Sequence, residues 1–188
     1  MTTSRPALLL MDFQPAIVAR GGSPEIFAAA RTALDAARSQ GIPVFFVRVA
    51  FRPGFPEVPQ SNVAFTALAA AAGDALTEQS PATQIIAELA PLPSEPIVTK
   101  RRYSAFTGSD LDVLLRGQGV THLVLAGIST SGVVLSTFRQ AFDLDYGLTV
   151  LSDASGDGDP ELSDLLLTRV FPRQGTVVTA AEWAAGLE

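Results

Sequence analysis

Short runs of unbroken apolar residues alternate along the chain with longer stretches of helical periodicity. The apolar runs fall at residues 7–12, 43–49, 97–100, 122–126, 148–152 and 176–179. None of them alternates polar with apolar positions, which is the pattern of strands buried on both faces. Helical patterns occupy residues 24–40, 81–89, 109–118, 132–146, 160–170 and 180–187. Ser23-Pro24, Ser80-Pro81 and Asp159-Pro160 each set a capping side chain before a proline suited to the first helical position. Gly41, Gly119 and Gly147 stand where helices should stop. This alternation predicts an α/β fold: a doubly wound, three-layer α/β/α arrangement on a mostly parallel sheet of about six strands.

One stretch breaks the rhythm. Residues 51–78 are too long for a bare connection in a compact domain. Arg52-Pro53-Gly54-Phe55-Pro56-Glu57-Val58-Pro59 is stiff and rich in turn residues, and a short alanine-rich helix follows it. The excursion is read either as a lid or pocket wall, or as ordered surface without a chemical role. No repeat or linker divides the chain, so residues 1–188 are expected to form one domain. Charged residues make up only 17% of it, below the usual quarter. A large buried fraction is expected, with part of the surface covered by another subunit. Thirteen basic against nineteen acidic side chains give a net charge of −6, which argues against nucleic acid and anionic membrane surfaces as partners. With no cysteine in the chain, disulfides, thiolate metal sites and thiol redox chemistry are excluded. No signal peptide is evident in the opening residues, and no apolar run reaches the ~18 residues of a membrane span. A cytoplasmic protein is the expectation.

In an open α/β sheet, ligands bind beyond the carboxyl ends of the strands, where the strand order reverses. Asp12, Lys100 and the turn from Ile128 to Val133 all follow predicted strands, so three distant segments converge on one sheet edge. The turn continues into Gly127-Ile128-Ser129-Thr130-Ser131-Gly132-Val133-Val134-Leu135-Ser136-Thr137. A nucleophile at position 133 would sit in the first turn of a helix, where the helix N-terminus lowers a thiol pKa. The residue there is Val133.

These segments resemble the isochorismatase-like cysteine hydrolases, whose nucleophile signature runs G-x-x-T-x-x-C-V-x-x-T. The chain matches it at Gly127, Thr130, Val134 and Thr137, with Val133 at the cysteine position. Ser131-Gly132 resembles the N-carbamoylsarcosine amidase branch. Asp12-Phe13-Gln14 is similar to the family's D-x-Q, and Lys100-Arg101-Arg102-Tyr103-Ser104-Ala105-Phe106 to its K-x-x-Y-S-A-F. The resemblance implies that Asp12 is the general acid/base and Lys100 its cationic partner. It also implies a cis Ile128–Ser129 bond in a turn where Ile128, Ser129 and Gly132 face a substrate oxyanion. Phe13, Gln14, Phe51, Phe55, Tyr103, Phe106, Thr130 and Ser131 are expected around the pocket. Arg101 and Arg102 either pair with an acidic substrate or solvate the loop. Relatives that assemble as dimers or tetramers imply a homo-oligomer. The family's cysteine-free members carry glycine where this chain has Val133, leaving room for substrate.

Other chemistries lack their residues. His122 begins a strand about 16 Å from the turn, at five residues of ~3.3 Å each, so no Ser–His pair can form. No cofactor and no metal are expected: nicotinamidase-like relatives bind metal through histidines near the second strand, and none occurs there. Asp153, Asp157 and Asp159 lack EF-hand spacing and are read as capping and turn residues. Two functions remain. One is hydrolysis of a C–N amide or vinyl-ether bond in a small molecule by Asp/Lys acid–base chemistry. The other is an inactive descendant that binds a small molecule or a protein partner.

Overall fold

The computed structural model describes residues 4–187; the reading of the first three residues lies outside it. Six strands form one sheet: β1 (Pro6–Met11), β2 (Val44–Val49), β3 (Ile97–Lys100), β4 (His122–Ile128), β5 (Gly147–Gly156) and β6 (Thr176–Val178). Their order is β3-β2-β1-β4-β5-β6, and every adjacent pair is parallel. The order reverses between β1 and β4.

Alternate residues of each strand feed opposite faces, as the pleat requires. Leu9, Met11, Val47, Leu125 and Val150 pack with Phe138, Ala141 and Leu115 on one side. Leu8, Leu10, Phe46 and Val124 pack with Ala30, Ala33, Leu34 and Ala37 on the other. The first face is covered by helices α4 (Leu111–Gly117) and α5 (Leu135–Asp143) and by the π turn Leu166–Val170 that continues α6 (Pro160–Leu165); the second by α2 (Pro24–Ser39) and α7 (Ala180–Ala185). A single turn, α1 (Pro15–Val18), follows β1, and α3 (Val63–Ala72) is the alanine-rich helix of the excursion. The three-layer α/β/α fold is therefore present, with all strands parallel.

Residues 81–89 are not one helix. They form two short 3-10 turns, Pro81–Thr83 and Ala87–Leu89. The backbone groups that a helix would use internally go to the end of β1. Ile86 donates its N–H to the Phe13 carbonyl (3.0 Å), and the Thr83 carbonyl accepts from the Gln14 side chain (2.9 Å). The helical pattern at 132–146 likewise opens with a π turn, Thr130–Val134, before α5 begins.

The excursion is closed at its neck by a bridge between Phe51 and Thr77. Phe51, Phe65 and Leu76 form a small apolar cluster inside it. Arg101 at the end of β3 ties it down, pairing with Glu57 (3.0 Å) and with Glu78.

Between the Leu125–Val150 and Gly127–Ser155 pairings, four residues of β5 stand against one residue of β4. This irregularity brings the Gly156-Asp157-Gly158 segment against the Arg20-Gly21-Gly22 loop. A Cβ on Gly156 would collide with the Gly21 carbonyl, and one on Gly21 would lie 2.5 Å from the Asp157 carbonyl carbon. Gly156→Ala should therefore cost about 1–3 kcal/mol, read as a lowered denaturation midpoint with an unchanged slope.

Candidate active site

The chain leaves β1 at Asp12 in the left-handed backbone region, with φ of 60°. Few residues other than glycine take that conformation, and Asp is among those that do. The Asp12 N–H still bonds the Val47 carbonyl (2.8 Å), while its own carbonyl accepts from Gln14 (2.8 Å). The turn aims the carboxyl over the end of the sheet. Lys100, last residue of β3, reaches across to it: Nζ lies 2.8 Å from Asp12 Oδ2 and also donates to the Arg102 carbonyl at 3.0 Å.

Both charged groups are nearly dry, Asp12 at 5% exposure and Lys100 at 2%. Burial pushes the Asp12 carboxyl above its ordinary value, and the Lys100 ammonium opposes this without cancelling it. Asp12 Oδ1 is buried and has no hydrogen-bond partner among the described residues. One oxygen is thus held by the lysine, and the other has no partner among the described residues.

Beside the pair lies a cavity of about 500 Å³, the size of a small-molecule site. Asp12, Lys100, Ile128, Ser129, Val133 and Tyr103 line it. The Ile128–Ser129 peptide is cis. The Ser129 carbonyl and hydroxyl oxygens accept from the Gly132 N–H at 3.2 and 3.1 Å, so Gly132 spends its donor inside the turn rather than on the cavity. Val133 is 2% exposed and packs with the core layer beneath.

The remaining expected pocket residues hold the frame instead of lining it. Phe13 is buried edge-on to Phe27, with ring centres 6.4 Å apart. Gln14 clamps β1 to β2, donating to the Val49 carbonyl (2.9 Å) and accepting from the Val49 N–H (2.8 Å). Phe51 and Phe55 stack on each other inside the excursion, 5.3 Å apart. Phe106 packs on Tyr146 in the core. Thr130 bonds the Ser163 hydroxyl of α6 at 2.9 Å. Ser131 does not reach Asp12 or Lys100; its N–H and hydroxyl both donate to Asp157 Oδ2, at 2.8 and 2.6 Å.

Asp157 itself lines the cavity. Partial burial pushes its carboxyl up, but the Ser131 hydroxyl and N–H and the N–H groups of Asp159 and Gly158 outweigh that and hold it below the usual range. Asp159 caps α6 through Leu162 (3.1 Å), and Asp153 accepts from the first residue of α7 (2.7 Å). His122 sits at the opposite end of β4, bonded to Thr149 (2.9 Å). Among the described residues no group of three or more His, Cys, Asp or Glu could hold a metal ion, and no helix is long and apolar enough to cross a membrane.

The excursion supplies the wall that sequence reasoning left undecided. Ala64, Ala67, Leu68 and Ala71 of α3 line the cavity with Phe65, and Arg20 and Arg102 join them. The four small or apolar residues stand at i, i+3, i+4 and i+7, one stripe of a helix. That spacing was visible in the sequence.

Comparison with known proteins gives the family. A ureidoacrylate amidohydrolase, RutB, of Stutzerimonas stutzeri is 35% identical over 184 residues, covering 87% of this chain and 74% of that protein. The structure of an isochorismatase family protein from Burkholderia thailandensis superposes with a TM-score of 0.82 at 31% identity, covering 97% of this chain and 95% of the other. N-carbamoylsarcosine amidase from Thermoplasma acidophilum superposes with a TM-score of 0.75 at 25% identity, over 94% and 96% of the two chains. The isochorismatase domain matches residues 6–182, and the chain belongs to the isochorismatase family.

Proposed function

We propose that the chain is a hydrolase of small molecules that works through Asp12 and Lys100 without a covalent thiol intermediate, Val133 standing where relatives place a cysteine. The observation that carries this reading is the divided carboxyl of Asp12. Oδ2 is held by Lys100 at 2.8 Å, and Oδ1 lies buried and unpartnered in a carboxyl that lines the cavity. A proton carrier needs a fixed position and an oxygen not committed to another group, and Asp12 has both.

Two bond classes fit. In amide or ureide cleavage, ionised Asp12 takes a proton from water as it attacks the carbonyl. The same proton then goes to the departing nitrogen, while Lys100 stabilises the charge that develops. Similarity to ureidoacrylate amidohydrolases supports this class. In vinyl-ether cleavage, protonated Asp12 donates its proton to the double-bond carbon, and water adds to the resulting oxocarbenium ion, returning a proton to the carboxylate. The hemiketal then collapses with rupture of its C–O bond to a carbonyl product and an alcohol. A second reading, ligand binding without turnover, is favoured by Val133, an apolar side chain beside the acid/base pair.

The pH dependence of kcat separates the bond classes. A group acting as base loses activity as pH falls through its pKa, and burial has moved that of Asp12 above the ordinary aspartate value. Amide cleavage should therefore show an acid limb displaced upward from that value. Vinyl-ether cleavage needs the protonated form, so its rate should fall as pH rises through the same pKa. A profile with no limb from Asp12 rules out its role in either reaction.

A further inference from the structure

Arg101 and Arg102 are adjacent in sequence but not in circumstance. The Arg101 guanidinium is neutralised by Glu57 and Glu78. Arg102 has no carboxylate within ion-pair distance among the described residues, and it lines the cavity. Its guanidinium is nevertheless held in place. Nη1 donates to the Arg101 carbonyl (2.6 Å) and Nη2 to the Glu57 carbonyl (2.9 Å), and its carbon lies 5.4 Å from the centre of the Phe65 ring. A guanidinium has five N–H donors, so the larger part of its capacity is unspent. It is a positioned positive charge without a counter-ion.

The surroundings sharpen this. Three cationic side chains line the cavity (Arg20, Lys100, Arg102) against two carboxylates, Asp12 and Asp157. Lys100 is offset by Asp12, and Asp157 is hydrogen-bonded by Ser131 of the π turn and by the Asp159 N–H. In a chain of net charge −6, this cavity is a locally positive place, and Arg102 is the cation inside it that is both fixed and uncompensated. Arg20 is exposed and makes no ion pair among the described residues. Beside Arg102 the wall is apolar, formed by Ala64, Ala67, Leu68 and Ala71 with Ile17.

We propose that Arg102 reads a carboxylate on the substrate, and that the substrate is a small acid whose short apolar spacer lies on α3 while its scissile group reaches Asp12. This rests on the reading of the cavity as the substrate site. A guanidinium pairs with a planar carboxylate through two parallel N–H bonds. The cation–π contact with Phe65 and the two carbonyl bonds orient the fork before binding, so little rotamer freedom is lost when the acid docks.

The test uses 3-ureidopropanoate and its neutral primary amide, titrated calorimetrically into wild type, Arg102→Gln, Arg102→Lys and Arg20→Gln. Wild type should bind the acid at least tenfold tighter than the amide, equivalent to about 1.4 kcal/mol. Arg102→Gln should bind both equally, Arg102→Lys should keep part of the preference, and inorganic phosphate should not displace the acid. If Arg102→Gln fails to fold, a lowered acid affinity with unchanged amide affinity in Arg102→Lys supports the assignment. An acid that binds no better than the amide, or not at all, overturns the proposal. So does a preference that survives Arg102→Gln or disappears in Arg20→Gln. The readout is binding alone: a preference lost in Arg102→Gln would stand even if the protein turned nothing over, and turnover without such a preference would remove this inference alone.

Discussion

Val133→Cys should give a chain that takes up one equivalent of iodoacetamide rapidly at neutral pH, where the wild type has no thiol to modify. Position 133 lines the cavity in the π turn that leads into α5. A thiol there would sit at a helix start, near Asp12 and Lys100, in the setting that favours thiolate. The substitution removes roughly one methyl group from a well-packed site, so about 0.5–1.5 kcal/mol of stability should be lost. Ala141→Cys supplies the comparison, because Ala141 is fully buried in the core away from the cavity, and its thiol should stay inert. Mass spectrometry of the labelled protein decides the matter. Equal labelling of the two variants, or none of either, would mean that the frame around Val133 does not activate a nucleophile.

Lys100→Met should lower turnover by about 10²–10³-fold, the usual effect of removing a group that stabilises developing charge. It should also cost about 3–5 kcal/mol, because it leaves a buried carboxylate without its partner. That cost depends on pH in a determined direction. The folded-state pKa of Asp12 is already raised, and loss of the ammonium raises it further. The neutral carboxyl tolerates burial, so the variant should be most stable below the ordinary carboxylate pKa. It should lose stability as pH rises through the raised value. The double variant Asp12→Asn/Lys100→Met removes both charges and should recover stability at neutral pH without recovering turnover. Urea midpoints at two pH values, set beside initial rates, separate the structural role of the pair from the chemical one.

The strands and the place of the site were legible because they depend on local signals. Continuous apolar runs marked all six strands, and the carboxyl ends of β1, β3 and β4 could only meet on one edge of a parallel sheet. Asp12, Lys100 and Ser129 follow from that. The aromatic residues misled for a general reason: a large apolar side chain near a site is more often needed in the core than in the cavity. Phe13 and Phe106 went there, and Phe51 went into the small core of the excursion. The contrast between Arg101 and Arg102 could not be read, because it depends on where the excursion delivers Glu57 and Glu78. The helical pattern at 81–89 yielded to tertiary demand, its backbone groups being taken by Phe13 and Gln14. The stripe at Ala64, Ala67, Leu68 and Ala71 was present in the sequence, but a run of alanines gives little contrast between one face and another.

Asp12 is proposed to perform acid–base chemistry on a bound small molecule. The most direct test is product formation by wild type and Asp12→Asn on small amides, carbamoyl compounds and vinyl ethers, with isochorismate and ureido acids among them. Wild type should turn over at least one member, with the rate reduced about 10²–10⁴-fold in the variant and both proteins folded. Equal rates in the two proteins would contradict it, as would substrates that bind the wild type and leave unchanged.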